Sequence, residues 1–172
     1  MKSLIITGIY RSGTTLIQKL LNASSQTAIM NHGMAGYFQI MKPYLFRFGN
    51  ITEPNSPLGF NWIEPKPDVL SLFRTTDFDK TMIDQLLQLV EAEIIEDNER
   101  AGNISHPTQD WLSVLKNNLR AGTAKQVFDQ QMSLILNYKK ITDANLVGFK
   151  ELHLEQFVPP MLADNPELKV IQ

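Results

Sequence analysis

A short turn between a strand and a helix, near the start of the sequence, limits what this chain can fold into. Residues 3–7 form an apolar, β-rich run that ends at Gly8, as a buried parallel strand does. After Gly13, apolar residues recur at the three- and four-residue offsets of one helix face, which predicts a helix. The segment GIYRSGT therefore connects a strand directly to a helix N-terminus, which favours an α/β fold with a parallel sheet.

This turn has the composition of an anion-binding loop. Backbone N–H groups and the positive end of the helix dipole converge where it meets the helix, and its two glycines allow close backbone approach. Thr14 and Thr15 add hydroxyl donors, and Arg11 adds a permanent charge that suits phosphate or sulfate oxygens. A nucleotide triphosphatase would carry lysine after the second glycine, where this chain has Thr14. The loop thus favours phosphate binding over γ-phosphoryl transfer; the alternative is a glycine turn that binds nothing.

The stretch RSGTTLIQKLLNASSQTAI, residues 11–29, extends the loop into the helix and beyond it. It resembles the 5′-phosphosulfate-binding loop and following helix of the sulfotransferases, which transfer a sulfuryl group from 3′-phosphoadenosine-5′-phosphosulfate (PAPS) to a hydroxyl or an amine. Residues 146–172 resemble a later part of the same family, in which a strand with a lysine is followed by a helix and a turn into the next strand. Residues 33–145 match no family pattern and correspond to the variable region in which acceptor specificity usually lies.

The resemblance implies an α/β fold of a particular kind. A three-layer, P-loop-like parallel sheet would be flanked by helices, with a helical insertion between the first strand–helix unit and the later strands. Residues 1–172 would form a single sulfotransferase-like domain, or its N-terminal portion. In the family, an Arg and a Ser that bind the 3′-phosphate follow the strand that begins here at Leu168, and this sequence ends at Gln172. We therefore expect a fold that is incomplete at its C-terminus, and its activity without that site stays open.

The resemblance also implies roles for individual residues. The residues expected around the 5′-phosphate are Arg11, Ser12, Gly13, Thr14 and Thr15. Arg11 stands where family members carry the loop cation that contacts the leaving group, and Lys150 matches a family lysine beside the sulfuryl group. The alternative for Lys150 is a surface lysine at a strand end. PAPS would be the co-substrate, with no metal, and the acceptor a small molecule or a carbohydrate.

The general base has more than one candidate. One branch of the family uses a glutamate after the first helix, and counting from Arg11 places His32 at that position. Histidine suits the role because its side chain ordinarily titrates near neutral pH. Another branch uses a histidine two residues beyond the family lysine, where this chain has Leu152; His153 follows, on the side of the strand that faces away. His32 is the favoured base, and His153 or a residue outside this sequence are the alternatives.

Apolar periodicity predicts the other elements. They are helices over residues 34–47, 79–100, 105–120 and 122–140, and strands at 146–150 and from 168. Thr76 and Asp77 are candidate N-caps of the second of these helices, and four prolines make residues 49–68 an irregular loop. The aromatic residues between Tyr37 and Phe48 are either core or an acceptor pocket. The acidic run from Glu91 to Glu99 we interpret as a solvated helix face.

Composition excludes several classes of function. The 16 basic and 18 acidic residues give a net charge of −2, which indicates no broad nucleic-acid surface. The chain has no cysteine and three widely spaced histidines, so neither a disulfide framework nor a zinc site is predicted. No apolar run reaches the length of a membrane span, and we expect a cytoplasmic protein without a membrane partner, with self-association through a sheet edge as an open alternative. The rival functions are a P-loop kinase-like nucleotide phosphotransferase and a non-catalytic nucleotide-binding domain.

Overall fold

The computed structural model describes residues 2–8, 13–48, 67–99, 109–151, 154 and 157–172. The strands in these ranges are β1 (Lys2–Ile6), β2 (Thr27–Asn31), β3 (Asp77–Phe78), β4 (Gly122–Thr123), β5 (Leu146–Lys150) and β6 (Lys169–Ile171). The helices are α1 (Thr14–Leu21), α2 (Ala35–Phe48), α3 (Pro67–Thr75), α4 (Lys80–Glu99), α5 (Gln109–Asn118), α6 (Ala124–Lys139) and α7 (Val158–Asp164).

Four strands form a parallel sheet in the order β2-β5-β1-β6. The central strand β1 pairs with β5 along its whole length, so that Ile6 lies opposite Lys150. The predicted α/β class, with a parallel sheet and flanking helices, is confirmed. A separate antiparallel pair, β3 with β4, ties the start of α4 to the start of α6 and was not predicted.

The sheet lies between two hydrophobic clusters because successive strand residues face opposite sides. On one face, Leu4, Ile6 and Ile29 pack against Ile17 and Leu21 of α1. On the other face, alternate residues of the same strands join a much larger cluster formed with helices α2 to α7. The helical region between β2 and β5 therefore covers one face of the sheet, and α1 covers the opposite face.

Strand β2 and helix α3 were absent from the sequence-based prediction. The sequence-based prediction contained no strand at residues 27–31, but Ala28 and Met30 are fully buried and the strand pairs with β5 over five positions. Helix α3 begins at Pro67, at the end of the stretch predicted to be irregular. Proline suits the first turn of a helix, because its fixed φ is already helical and its missing N–H has no partner there.

The predicted N-caps of α4 were wrong. The Asp79 side chain accepts a hydrogen bond from the Met82 backbone N–H at 2.9 Å, which places the cap directly before the helix. Asp77 instead belongs to β3, and the Thr76 backbone N–H donates to the carbonyl of Leu72. The other internal helices begin and end within a few residues of their predicted bounds, although residues 101–108 lie outside the described part of the chain.

Of the aromatic residues in α2, the two at its start belong to the core. Tyr37 and Phe38 are buried, and Tyr37 stacks on Phe78 with ring centroids 5.4 Å apart. The Tyr37 hydroxyl donates a hydrogen bond to the Ala124 carbonyl at 3.1 Å. The side chains of Phe46 and Phe48 lie outside the described residues. The core interpretation therefore holds for the part of α2 nearest the sheet.

Replacing Tyr37 with phenylalanine is expected to reduce the decrease in folding stability that we expect for this chain at alkaline pH. Burial raises the pKa of the Tyr37 phenol far above its ordinary value, so the folded chain keeps a proton that the unfolded chain releases. The contribution is complete below the unfolded pKa of about 10 and declines as the pH rises through it. In urea unfolding near neutral pH, Tyr37→Phe should be about 1 kcal/mol less stable than the unsubstituted chain. When the measurement is repeated above that pKa, the stability of the variant should fall by less than the stability of the unsubstituted chain. Identical declines in both proteins would contradict this assignment.

Candidate functional site

The connections that leave the neighbouring strands β1 and β5 run to opposite faces of the sheet, and we call the position between the carboxyl ends of these strands the crevice. After β1 the chain crosses one face of the sheet through α1 to reach β2. After β5 it crosses the other face through α7, whose Met161 packs in the large cluster, to reach β6. Because the two connections leave to opposite sides, the carboxyl ends of β1 and β5 flank the position at which α/β sheets bind ligands.

Of the predicted anion loop, the structure describes Gly8, which follows β1, and Gly13, Thr14 and Thr15 at the start of α1. Gly13 directly precedes α1 with φ of 82°, a left-handed conformation that glycine adopts without strain. No side chain among the described residues caps α1, so its first N–H groups are not occupied by a capping oxygen. Thr14 and Thr15 form the first turn, and the Thr14 side chain is buried. Arg11 and Ser12 lie outside the described residues.

Hydrogen bonds fasten the ends of β1 and β5 to each other. The Glu151 backbone N–H donates to the Ile6 carbonyl at 2.9 Å, and the Leu154 N–H donates to Thr7 Oγ1 at 3.1 Å. Thr7 is fully buried, and its own N–H donates to the carbonyl of Ile171 in β6. The segment that follows β5 is therefore held against the strand that leads into the loop.

A charged cluster at the ends of β2 and β5 is the strongest feature of this region. Lys150 Nζ lies 3.2 Å from His32 Nε2, on one side of the ring. On the other side, His32 Nδ1 lies 2.7 Å from Glu151 Oε1 and 3.5 Å from Glu93 Oε1. We call these four residues, Lys150, His32, Glu151 and Glu93, the histidine cluster.

The fold places each member of the histidine cluster. His32 follows the last residue of β2, and its N–H donates to the Lys150 carbonyl at 2.9 Å, which continues the sheet ladder by one bond. Lys150 ends β5, Glu151 follows it, and Glu93 reaches the ring from α4. His32 has φ of 53°, a left-handed conformation that is uncommon for residues other than glycine and clusters at functional sites.

The contacts of His32 determine which ring nitrogen carries its proton. An ammonium group only donates hydrogen bonds, so Nε2 accepts from Lys150. The Nδ1–H group then donates to Glu151, because a carboxylate only accepts. Two carboxylates therefore face the Nδ1 side of the ring, and an ammonium faces Nε2.

The structure brings together two of the predicted catalytic residues at the carboxyl ends of β2 and β5. His32 and Lys150 are in contact, and Lys150 shares the α1 side of the sheet with its register partner Ile6. The alternative that Lys150 is a surface residue was wrong, since only 3% of it is exposed. His153, the alternative base, lies outside the described residues, as does Arg11.

Sequence reasoning missed the two carboxylates. Glu93 was included in a solvated helix face, yet its side chain is 20% exposed and contacts His32. A signal existed, because Glu93 lies three residues after Val90 and seven after Leu86, on the buried stripe of α4. Glu91 does fit the solvated interpretation, with a side chain that is 46% exposed. No comparable pattern marked Glu151.

Among the described residues, the aromatic side chains at the start of α2 pack in the core. Tyr37, Phe73 and Phe128 help to line a cavity of about 30 Å³, room for roughly one water molecule. A larger space of about 530 Å³ is an open groove between α5 and α6, lined by residues such as Asn118 and Gln130. The acceptor-pocket alternative therefore finds no support in the described part of α2.

Two further observations bear on the class of protein. Across the described ranges, no helix has the length and apolar character to cross a membrane. The same ranges contain no group of three or more His, Asp or Glu side chains that could hold a metal ion.

Comparisons with protein-family models, with curated proteins and with solved structures find no match to this chain. Its function is therefore inferred from the geometry of the crevice and from the sequence motifs.

Proposed function

We propose that this chain is a PAPS-dependent sulfotransferase domain, which transfers a sulfuryl group to a hydroxyl or an amine of a small-molecule or carbohydrate acceptor. The observation that carries the proposal is the contact between Lys150 and His32 at the carboxyl end of β5, beside the strand that leads into the anion loop. A cation and a base are the two groups that sulfuryl transfer requires, one for the leaving oxygen and one for the acceptor proton.

The fold supports a P-loop-like arrangement of the donor. The loop from Gly8 to Thr14 follows the central strand β1 and leads into α1 without a capping side chain. Backbone N–H groups at such a helix N-terminus stabilise the 5′-phosphate, and the hydroxyls of Thr14 and Thr15 add donors. Arg11, which the sequence motif assigns to the same phosphate, would add a charge that does not titrate.

The residues divide the reaction between them. The bond between sulfur and the bridging oxygen of the 5′-phosphate breaks, and its electron pair leaves with 3′,5′-ADP, while the acceptor oxygen bonds to sulfur. Lys150 and Arg11 stabilise the negative charge that grows on the leaving oxygen. His32 Nε2 takes the acceptor proton, and the carboxylate of Glu151 stabilises the resulting imidazolium.

Two observations favour this proposal over the two rival functions. A kinase-like phosphotransferase needs a loop lysine and magnesium, and Thr14 occupies the lysine position. A non-catalytic nucleotide-binding domain has no use for an imidazole held between an ammonium and two carboxylates. Such a buried arrangement of ionisable groups is costly to form, and groups of this kind concentrate at functional sites.

Ligand-induced stabilisation tests the donor assignment. We expect 3′,5′-ADP and PAPS to raise the melting temperature of the 172-residue chain without metal, and ATP with magnesium to have a smaller effect. At a hundredfold excess over Kd the stabilisation is about 2.7 kcal/mol, which corresponds to roughly 5–10 °C for a domain of this size. Stabilisation by ATP with magnesium but not by 3′,5′-ADP would replace this proposal with the kinase-like one.

Replacing Arg11 with alanine is expected to weaken 3′,5′-ADP binding. Loss of one charge-assisted contact in a preorganised site costs about 2–4 kcal/mol. Calorimetric titration measures the change, and Lys19→Ala is the matched control, because Lys19 is an exposed cation in the last turn of α1. If the Arg11 and Lys19 variants bind 3′,5′-ADP equally well, the loop does not hold the 5′-phosphate.

A further inference from the structure

The two nitrogens of the His32 ring face groups of opposite charge. Nε2 contacts the ammonium of Lys150 at 3.2 Å, and Nδ1 contacts Glu151 at 2.7 Å, with the Glu93 carboxylate 3.5 Å away. These partners come from two places in the fold: Lys150 and Glu151 lie at the end of β5, and Glu93 lies on α4. The ring is therefore held by the arrangement of the whole domain and not by a local turn alone.

Both contacts require the same tautomer. Lys150 can only donate, which leaves Nε2 without a proton, and Glu151 accepts the proton that Nδ1 must then carry. Glu151 is buried, so its bond to the ring is shielded from competing water. In the opposite tautomer, the unprotonated Nδ1 would face two carboxylates and the Nε2–H group would face an ammonium. The partners at both ring nitrogens therefore favour the same tautomer, with the proton on Nδ1.

The contact with Lys150 also has a consequence for catalysis. An unprotonated imidazole nitrogen has one lone pair, so Nε2 cannot accept a substrate proton while it accepts a hydrogen bond from Lys150. An anionic phosphosulfate oxygen is a stronger acceptor than a neutral imidazole nitrogen, because hydrogen bonds between ionised partners are the stronger class. Arrival of the donor would therefore draw the ammonium away from the ring.

We infer that Glu151 is a positioning residue, which keeps the proton of His32 on Nδ1. The Lys150 ammonium donates a hydrogen bond to Nε2 until an anionic donor binds and the ammonium contacts that donor instead. The base is then exposed only after the donor is in place. When it acts, the acceptor proton moves to Nε2, the Nδ1 proton stays on the ring, and Glu151 remains ionised. The part of this inference that concerns the donor rests on the proposed function, whereas the tautomer does not.

Nitrogen-15 NMR of the histidine rings tests the tautomer in the unsubstituted chain. There are three histidines, and the signals of His32 are those that disappear in His32→Asn. At a pH where the rings are neutral, we expect protonated Nδ1 and unprotonated Nε2, with a slowly exchanging Nδ1 proton. Saturating 3′,5′-ADP should change the Nε2 shift and leave the tautomer unchanged. A His32 ring protonated at Nε2 would overturn the inference.

Substitution of Glu151 tests the positioning role. Glu151→Gln keeps an acceptor oxygen but removes the charge, so we expect the Nδ1 proton to lose its slow exchange and kcat for 3′,5′-ADP release from PAPS to fall by about 10- to 100-fold, with KM for PAPS nearly unchanged. Glu151→Asp, which restores the charge, should recover part of both. The control is Glu91→Gln, which removes an exposed carboxylate from α4 and should change neither. Loss of the Nδ1 proton without any loss of kcat would refute the positioning role.

The outcomes for the positioning role and for the proposed function are separable. If His32 has the expected tautomer but 3′,5′-ADP neither binds nor shifts Nε2, the ring is held as inferred and the donor assignment fails. If 3′,5′-ADP binds and His32 carries its proton on Nε2, the donor assignment stands and the role of Glu151 fails.

Discussion

Replacing His32 with alanine is expected to slow sulfuryl transfer by about 10²–10⁴-fold while 3′,5′-ADP binds almost as tightly as before. The imidazole contributes only when the acceptor proton leaves, so its removal acts on kcat and not on donor affinity. The measurement is the release of 3′,5′-ADP from PAPS, with water or a simple phenol as acceptor, together with calorimetric titration of 3′,5′-ADP. Removal of a residue that contacts the cofactor would also weaken 3′,5′-ADP binding. A loss of kcat without a loss of 3′,5′-ADP affinity therefore identifies a base.

Two variants control for structure in this experiment. Because His32 has φ of 53°, alanine adds backbone strain, whereas asparagine tolerates the left-handed conformation; His32→Asn should therefore fold better and be as slow. His106→Ala is the matched control, since His106 stands near the start of the helix predicted over residues 105–120 and is not among the predicted site residues. Full-rate turnover by both His32 variants would remove the residue from the mechanism and transfer the role of base to His153 or to a residue outside this sequence.

Replacing Lys150 with methionine is expected to lower kcat by about 10²–10³-fold. The lysine is almost completely buried, and methionine keeps most of its apolar volume while it removes the cation that we propose for the leaving oxygen. Binding of 3′,5′-ADP should weaken less than turnover slows, because the charge that Lys150 stabilises develops mainly in the transition state. Steady-state kinetics and calorimetric titration measure the two effects separately.

The matched control for Lys150 is Lys116→Met. Lys116 is half-exposed on α5 and lies 3.7 Å from the Glu91 carboxylate, a surface pair that contributes little to stability. Its removal should leave both kinetic parameters unchanged. If Lys150→Met keeps the turnover of the Lys116 variant, the ammonium in the histidine cluster has a structural role and is not part of the chemistry.

The elements that were predicted from the sequence are those whose pattern is long or whose boundary is sharp. Helices α4 and α6 carry apolar residues at helical spacing over several turns, and β5 is a β-rich run that ends at a lysine. Strand β2 was missed because its five residues follow closely on α1 and carry no alternation. Only its pairing with β5, through tertiary contact, stabilises it as a strand.

The candidate site was predictable only in part, for a related reason. His32 and Lys150 lie 118 positions apart, and the resemblance to one family supplied both of them. The resemblance supplied neither carboxylate. The position of Glu93 on the apolar stripe of α4 indicated burial but not a contact with His32, and no pattern marked Glu151. The sequence thus indicated a cation and a base, whereas the groups that orient the base depend on the packing of α4 and on the end of β5.

Amide chemical-shift mapping with 3′,5′-ADP tests most directly whether the crevice between β1 and β5 holds the donor. We expect saturable shifts at the amides of Gly13, Thr14 and Thr15, together with a change at the His32 ring and at Lys150, in the absence of metal. Shifts confined to the groove between α5 and α6, or shifts at the loop that require ATP and magnesium, would contradict it.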